Sequence, residues 1–314
     1  MQVRWNDIER GEWDALHRTA VGPLQQSWAY GQAMAAAGVV CLRARLLHEG
    51  RTVGIAQCLA RRLGGLIGLA LCPRGPLLLP PHDDAAGLAA ACRALGRGLP
   101  LARPRVTLFS PSSPHALPGL HRVVTGQTVV LLDLTASPET LRAGLHGKWR
   151  NRLAAAERAG LRAQRVGARP AQYGWLLERE LAQREGRGYQ ALPSGFVPAW
   201  QAAAPAGAEP MLAWRVDVDR EAVAGMMFLV HGDSATYHVG WADTRGREAG
   251  AHNLLLWQAM LALRERGVRR LDLGGIDTAG GAGLARFKIG TGGQVAGFSG
   301  TWVAPGDGLR RAVS

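Results

Sequence analysis

The chain has 314 residues, a formal net charge of +13 and 47% apolar residues. That apolar share excludes a disordered chain, and the length suits two domains or one large one. The longest apolar run, LGGLIGLALC at 63–72, is about half of what a membrane helix needs, so no transmembrane segment is expected.

The opening MQVRWNDIERGEW is polar and reads as no signal peptide, which predicts a soluble, cytoplasmic protein. Cys41, Cys58, Cys72 and Cys92 form no C-x-x-C pair and lie near no histidine cluster, so no metal site is expected and the thiols read as small core residues. The positive charge suits an anionic partner: nucleic acid, a phosphorylated precursor, or peripheral contact with an anionic membrane face. The arginines are scattered rather than blocked, so charge alone selects none of these.

Residues 7–37 read as mostly helical, ending at Gly38. VVCLRARLLHEGRTVGIAQCLARR then gives two strands around the turn HEGR. GLIGLALC is a third strand stopped by PRGP, DDAAGLAAACRALGRG is a helix, and RVTLFS and HRVVTGQTVVLLDL are further strands. SPETLRAGLHGKWRNRLAAAERAG reads as one helix, with Ser137 as cap, Pro138 in the first position, and Leu141, Leu145, Trp149 and Leu153 as its apolar stripe.

LRAQRV predicts a strand, residues 170–185 a helix and EGRGYQALPSG a loop. MLAWRVDVDREAVAGMMFLVHGDSATYHVGWA predicts three strands with turns at DVDR and HGDS. AGAHNLLLWQAMLALRERG is a helix apolar nearly all round, VRRLDLGG a strand, 283–289 a short helical turn, and QVAGFSGTWV a last strand. Each half has a hairpin whose second strand opens on arginine, at 48–57 and 217–227, followed by a further strand and a helix. This predicts a duplicated α/β unit, divided as 1–136 and 137–314.

The basic residues are 35 arginines and only two lysines, Lys148 and Lys288. If arginine has drifted in wherever charge alone matters, each lysine marks a place where a compact ammonium matters; the other reading is that two lysines are simply left over. Lys288 follows Phe287 inside GLARFKIGTGG, just after the strand end D-x-G-G formed by Asp272, Gly274 and Gly275. Gly274, Gly275, Gly290, Gly292 and Gly293 would let backbone N–H groups approach a phosphate-rich ligand, with Lys288 as a mobile positive charge and Phe287 as a stacking face. Lys148, Arg150 and Arg152 offer either phosphate ligands or a solvated basic helix face. Tyr237 and His238 lie on a central strand, facing either a cleft or the core. Asp272 could orient the loop or cap the turn into Gly274.

Three further stretches agree with one family: QQSWAYGQAM at 25–34, CPRGPLL at 72–78, which contains Arg74, and LHGKWRNRLAAAERAGL at 145–161. Together with RRLDLGGIDTAGGAGLARFKIGTGGQVAGFSGTW, they resemble, in order, the motifs of the Fem-type aminoacyltransferases. These transfer-RNA-dependent enzymes add amino acids to the peptide stem of cell-wall precursors. The resemblance implies two tandem GNAT-like domains with mixed α/β sheets. It also implies an aminoacyl-tRNA co-substrate, an amine acceptor such as a peptidoglycan precursor, a direct role for Phe287 and Lys288, and no cofactor.

The second half also resembles the wider GNAT superfamily, whose pyrophosphate loop runs Q/R-x-x-G-x-G/A. Arg247 and Gly250 fit that pattern, and His252 stands at its last position. An acyl-CoA-dependent N-acyltransferase, using acetyl-CoA or another acyl-CoA, is therefore the alternative.

Overall fold

A computed structural model describes residues 1–187, 192–193, 195–277 and 281–304. Residues 188–191 and 194 of the expected loop, 278–280 after the D-x-G-G strand, and 305–314 of the expected second domain lie outside the described residues. The chain divides into two compact units, Met1–Thr128 with the segment from Ala296, and Val129–Val295.

The first unit contains β1 (Gln2–Trp5), α1 (Arg10–Thr19), α2 (Trp28–Ala36), β2 (Val40–His48), β3 (Arg51–Leu63), β4 (Ile67–Arg74), β5 (Leu77–Leu78), α3 (Ala85–Gly98), β6 (Arg105–Pro111) and β7 (His121–Val124). The second contains β8 (Thr128–Asp133), α4 (Pro138–Gly144), α5 (Gly147–Arg158), β9 (Gln164–Val166), α6 (Pro170–Arg187), α7 (Phe196–Ala202), β10 (Met211–Val218), β11 (Glu221–His231), β12 (Ser234–Ala242), α8 (Thr244–Glu248), α9 (Ala251–Glu265), β13 (Arg270–Gly275), α10 (Ala282–Ile289) and β14 (Gln294–Gly297). The strand β15 (Thr301–Val303) closes the described chain.

The expected duplication is visible in the topology. In the first unit β2, β3 and β4 are antiparallel, and β4 pairs in parallel with β6 after the crossover helix α3. In the second, β10, β11 and β12 are antiparallel, and β12 pairs in parallel with β13 after α9. The leading hairpins turn alike: Glu49 and Gly50 have φ of 49° and 76°, and Asp219 and Arg220 have 52° and 67°. Two left-handed central residues match the strand twist, which explains the sharpness of both turns.

Three details differ from the sequence reading. The expected 1–136 and 137–314 division is offset and crossed. HRVVTGQTVVLLDL splits between the sheets, with β7 in the first and β8 in the second; likewise QVAGFSGTWV gives β14 to the second sheet and β15 to the first, between β6 and β7. The single helix expected over 137–160 is broken at Leu145 and His146, whose backbones are extended. The break is stabilised from far along the chain, because His146 donates its N–H to the carbonyl of Gly290 at 2.9 Å.

One motif residue of the first unit, Gln26, has a structural role. Gln26 is fully buried; its amide donates to the Pro73 carbonyl at 2.8 Å and accepts from the Gln57 N–H at 2.8 Å. Buried amides must be paired, so the Gln-Ser start of α2 and the Pro-Arg-Gly-Pro turn are held to the sheet together. Cys58, Cys72 and Cys92 are buried free thiols.

In the second unit, Leu212, Trp214, Ala224, Met226 and Phe228 form one apolar cluster with α5 and α9. On the other face of the same sheet, Trp175 and Leu176 of α6 fill the space beside Gly225. A sheet covered on both faces needs continuous apolar strands, and β11 is buried from Val223 to Leu229.

Candidate functional site

Parallel pairing between β12 and β13 covers Ser234–Arg270, Ala235–Leu271 and Thr236–Asp272 only. β12 then continues to Ala242 and β13 to Gly275 without further pairing to each other, so the sheet opens at this point. A bulge at His238 displaces β12 from β11 in the same region. Lys288, on α10, spans the opening. Its Nζ donates to the Gly275 carbonyl at 2.8 Å and lies 5.8 Å from the Tyr237 ring centre.

The residue is only 6% exposed. Lys288 is therefore not a solvated side chain on a glycine-rich turn. Burial pushes the Lys288 ammonium down to about 8, while the Asp272 carboxylate opposes that shift. The carbonyl, the ring face and the carboxylate are all electron-rich, and together they suit a compact cation.

Asp272 also caps its own turn. Its Oδ1 accepts from the Gly274 N–H at 2.7 Å, and Gly274 has a φ of 75°. Of the two readings made for Asp272, this bond matches the cap on the turn into Gly274.

The expectation that glycine N–H groups cradle a phosphate is corrected at Gly290, Gly292 and Gly293. The N–H of Gly290 goes to Arg286, that of Gly292 to Ile289 and that of Gly293 to the Thr291 hydroxyl. These glycines are needed for internal packing. A Cβ on Gly292 would strike the Gly144 carbonyl, and one on Gly290 would meet Trp149 Cδ1 at 2.8 Å. The frame seats α10 against α4 and α5.

Phe287 is half-buried, with the Trp149 and His252 rings 6.0 and 5.9 Å from its own. The Trp149 indole N–H donates to the Phe287 carbonyl at 3.1 Å. Trp149 was legible only as part of an apolar stripe; its bond to residue 287 is a long-range fact that no local pattern carries. His252 donates a ring N–H to the Trp241 carbonyl, and burial lowers its imidazole. Among the described residues its Nε2 has no hydrogen-bond partner. The surroundings of His238 push its imidazole down to about 4, so it is neutral at pH 7.

Lys148, Arg150 and Arg152 are exposed on α5, and Arg150 reaches the Ala143 carbonyl. The Arg152 carbonyl lies 3.0 Å from where a Cβ on Gly250 would sit, which brings α5 to the start of α9. Arg247 is engaged internally, bonding the Ala242 carbonyl and the Thr244 hydroxyl. Arg74 belongs to the first unit, where its guanidinium lies 4.5 Å over the Phe298 ring and bonds the Ser112 hydroxyl.

A cavity of about 390 Å³ is lined by Trp175, Arg179, Arg215, Trp241 and others, and Lys288 is not among its lining residues. Among the described residues no cluster of His, Cys, Asp or Glu could hold a metal ion, and no helix is long and apolar enough to cross a membrane.

With only two lysines, ¹⁵N-lysine NMR can read Lys288 directly. Its signal is expected to titrate near pH 8. Asp272→Asn keeps the acceptor for Gly274 and removes the charge, so the midpoint should fall further. A midpoint near the ordinary 10.5, or one unmoved by the Asn, would contradict this geometry.

Residues 146–288 match the acetyltransferase (GNAT) domain family. Two tandem copies of this α/β frame and the opened sheet define the class: the chain has the Fem-type tandem GNAT fold and is an acyl-transferring enzyme. The crystal structure of FemX is similar over 96% of this chain and 96% of that one, with a TM-score of 0.79 and 13% identity. A conserved protein of unknown function from Bacteroides thetaiotaomicron is similar over 96% and 100%, with a TM-score of 0.60 and 13% identity. A tandem GNAT protein from the clavulanic acid biosynthesis pathway is similar over 96% and 98%, with a TM-score of 0.52 and 17% identity. No curated protein sequence matches the chain.

Proposed function

We propose that this protein moves an amino acid from an aminoacyl-tRNA to an amine, with the peptide stem of a peptidoglycan precursor as acceptor, in the cytoplasm. The observation that carries this reading is the buried Lys288 ammonium set between Gly275, Tyr237 and Asp272 at the sheet opening.

The chemistry follows from that placement. The acceptor amine attacks the ester carbonyl, a C–N bond forms, and the carbonyl electrons move to oxygen. A preorganised ammonium in a water-poor site stabilises that oxyanion. Collapse breaks the C–O bond to the terminal ribose, whose oxygen takes the proton the amine gives up. Asp272 keeps Lys288 charged at neutral pH, and Tyr237 lines the same opening. The exposed Lys148, Arg150 and Arg152 suit the phosphates of either substrate.

A second reading, transfer from an acyl-CoA, draws support from the acetyltransferase domain match. The loop that would grip its pyrophosphate speaks against it. Arg247 is bonded within the loop, and His252 puts an imidazole where close backbone approach is needed.

The test offers the purified protein labelled aminoacyl-tRNA and labelled acetyl-CoA separately, each with precursor or lysate amines. Label should move from the RNA donor alone. Transfer from acetyl-CoA alone would establish the second reading and overturn the first.

A further inference from the structure

The β3–β4 hairpin ends in an exposed apolar tip. Leu63, Leu66 and Ile67 are 43%, 80% and 41% exposed, around the turn residues Gly64 and Gly65. β2 begins opposite Ala60, so the hairpin runs three strand residues past it, about 10 Å at the usual rise per residue.

Directly behind the tip, Arg61 and Arg62 are exposed. The loop before β6 runs alongside, with the Gly68 N–H bonded to the Pro104 carbonyl, and adds the exposed Arg103. Among the described residues none of these arginines has an ion pair, and residues 59–71 and 85–106 contain no Asp or Glu.

We propose that this hairpin docks the protein on an anionic lipid bilayer. The order of chemistry matches the layers of such a surface: leucine and isoleucine outermost, where acyl chains begin, and guanidinium groups one or two residues behind, at headgroup depth. Interfacial apolar groups enter a bilayer by roughly 5–10 Å, which is the reach of this tip. A protein partner would require a shaped apolar recess rather than a narrow convex finger. An RNA partner would make no use of the aliphatic tip. The inference is independent of the donor and acceptor, because its readout is adsorption, not transfer.

The test is flotation of the full chain with phosphatidylcholine vesicles, with and without about one-third phosphatidylglycerol. The protein should float with the anionic vesicles and remain behind with the neutral ones. Raising the salt should weaken the binding, because surface attraction is screened. Leu66→Asp with Ile67→Asp should reduce partition by about tenfold or more. Arg61→Gln with Arg62→Gln should do likewise, at about one headgroup interaction per charge.

All four side chains are exposed, so unchanged melting curves are expected and would separate lost docking from lost folding. Equal partition of wild type and both variants would overturn the proposal, as would failure of wild type to float. So would self-association in sedimentation that Leu66→Asp abolishes, because it would assign the tip to a second copy.

Discussion

Lys288→Met is expected to slow transfer by about 10²–10³-fold, the usual cost of removing one donor from an oxyanion site. Methionine preserves the buried stem and deletes only the ammonium. At pH 7 the native state bears the cost of holding this cation out of water. The drop to about 8, desolvation less the attraction of Asp272, corresponds to a net cost of about 3 kcal/mol. The variant should therefore be as stable as wild type or more so, while being nearly inactive.

The pH behaviour has a definite sign. Between about 8 and the ordinary 10.5, the unfolded chain holds this proton and the native one has released it. Stability should thus rise with pH across that window, and the rise should vanish in Lys288→Met. Transfer should run the other way, falling as pH passes about 8 and the ammonium is lost. Lys288→Arg should also lose most activity, because a planar guanidinium does not fit the compact place between the Gly275 carbonyl and the Tyr237 ring. Wild-type rates in both variants would remove Lys288 from the mechanism.

Trp149→Ala is the second large effect. The indole is 5% exposed, lies beside Phe287, fills the space beside Gly290 and bonds the Phe287 carbonyl. Its loss should cost about 3–5 kcal/mol of stability, the range for truncating a buried aromatic. α10 would be released from α5, so transfer should fall as well. Trp149→Phe separates the two roles. It keeps most of the packing and deletes the N–H, which should cost about 1 kcal/mol. If Trp149 positions Lys288 through the Phe287 carbonyl, this variant should lower kcat more than it raises KM and shift the Lys288 NMR midpoint. Loss of stability with kinetics and midpoint unchanged would make Trp149 a packing residue only.

The alternating strands, the two hairpin turns and the capped α4 start were legible because each depends on neighbours within a few residues. The tandem order was legible because both hairpins carry an arginine at the turn, Arg51 opening β3 and Arg220 ending the turn before β11. Lysine scarcity pointed to Lys288, but its burial did not show locally: in AGLARFKI, charged and apolar residues alternate too closely for eight residues to reveal a face. The glycines at 290, 292 and 293 read in the sequence as a ligand cradle, whereas each is packed against a neighbour. A sequence shows that no side chain fits but not what occupies the space, here Trp149, Gly144 and Val130. The helix break at Leu145–His146 was hidden for the same reason, since its hydrogen-bond partner is Gly290.

The placement of β15 bears on how the chain is made. In the first sheet β7 joins the remaining strands only through β15, which lies between it and β6. A ribosome releases residues 1–128 long before residues 301–303, so the first unit emerges with its sheet lacking the strand between β6 and β7. Residues 129–295 can complete their own sheet in the meantime. The half of the protein synthesised first is thus finished last, and its edge at β6 stays open to mispairing until the final strand arrives.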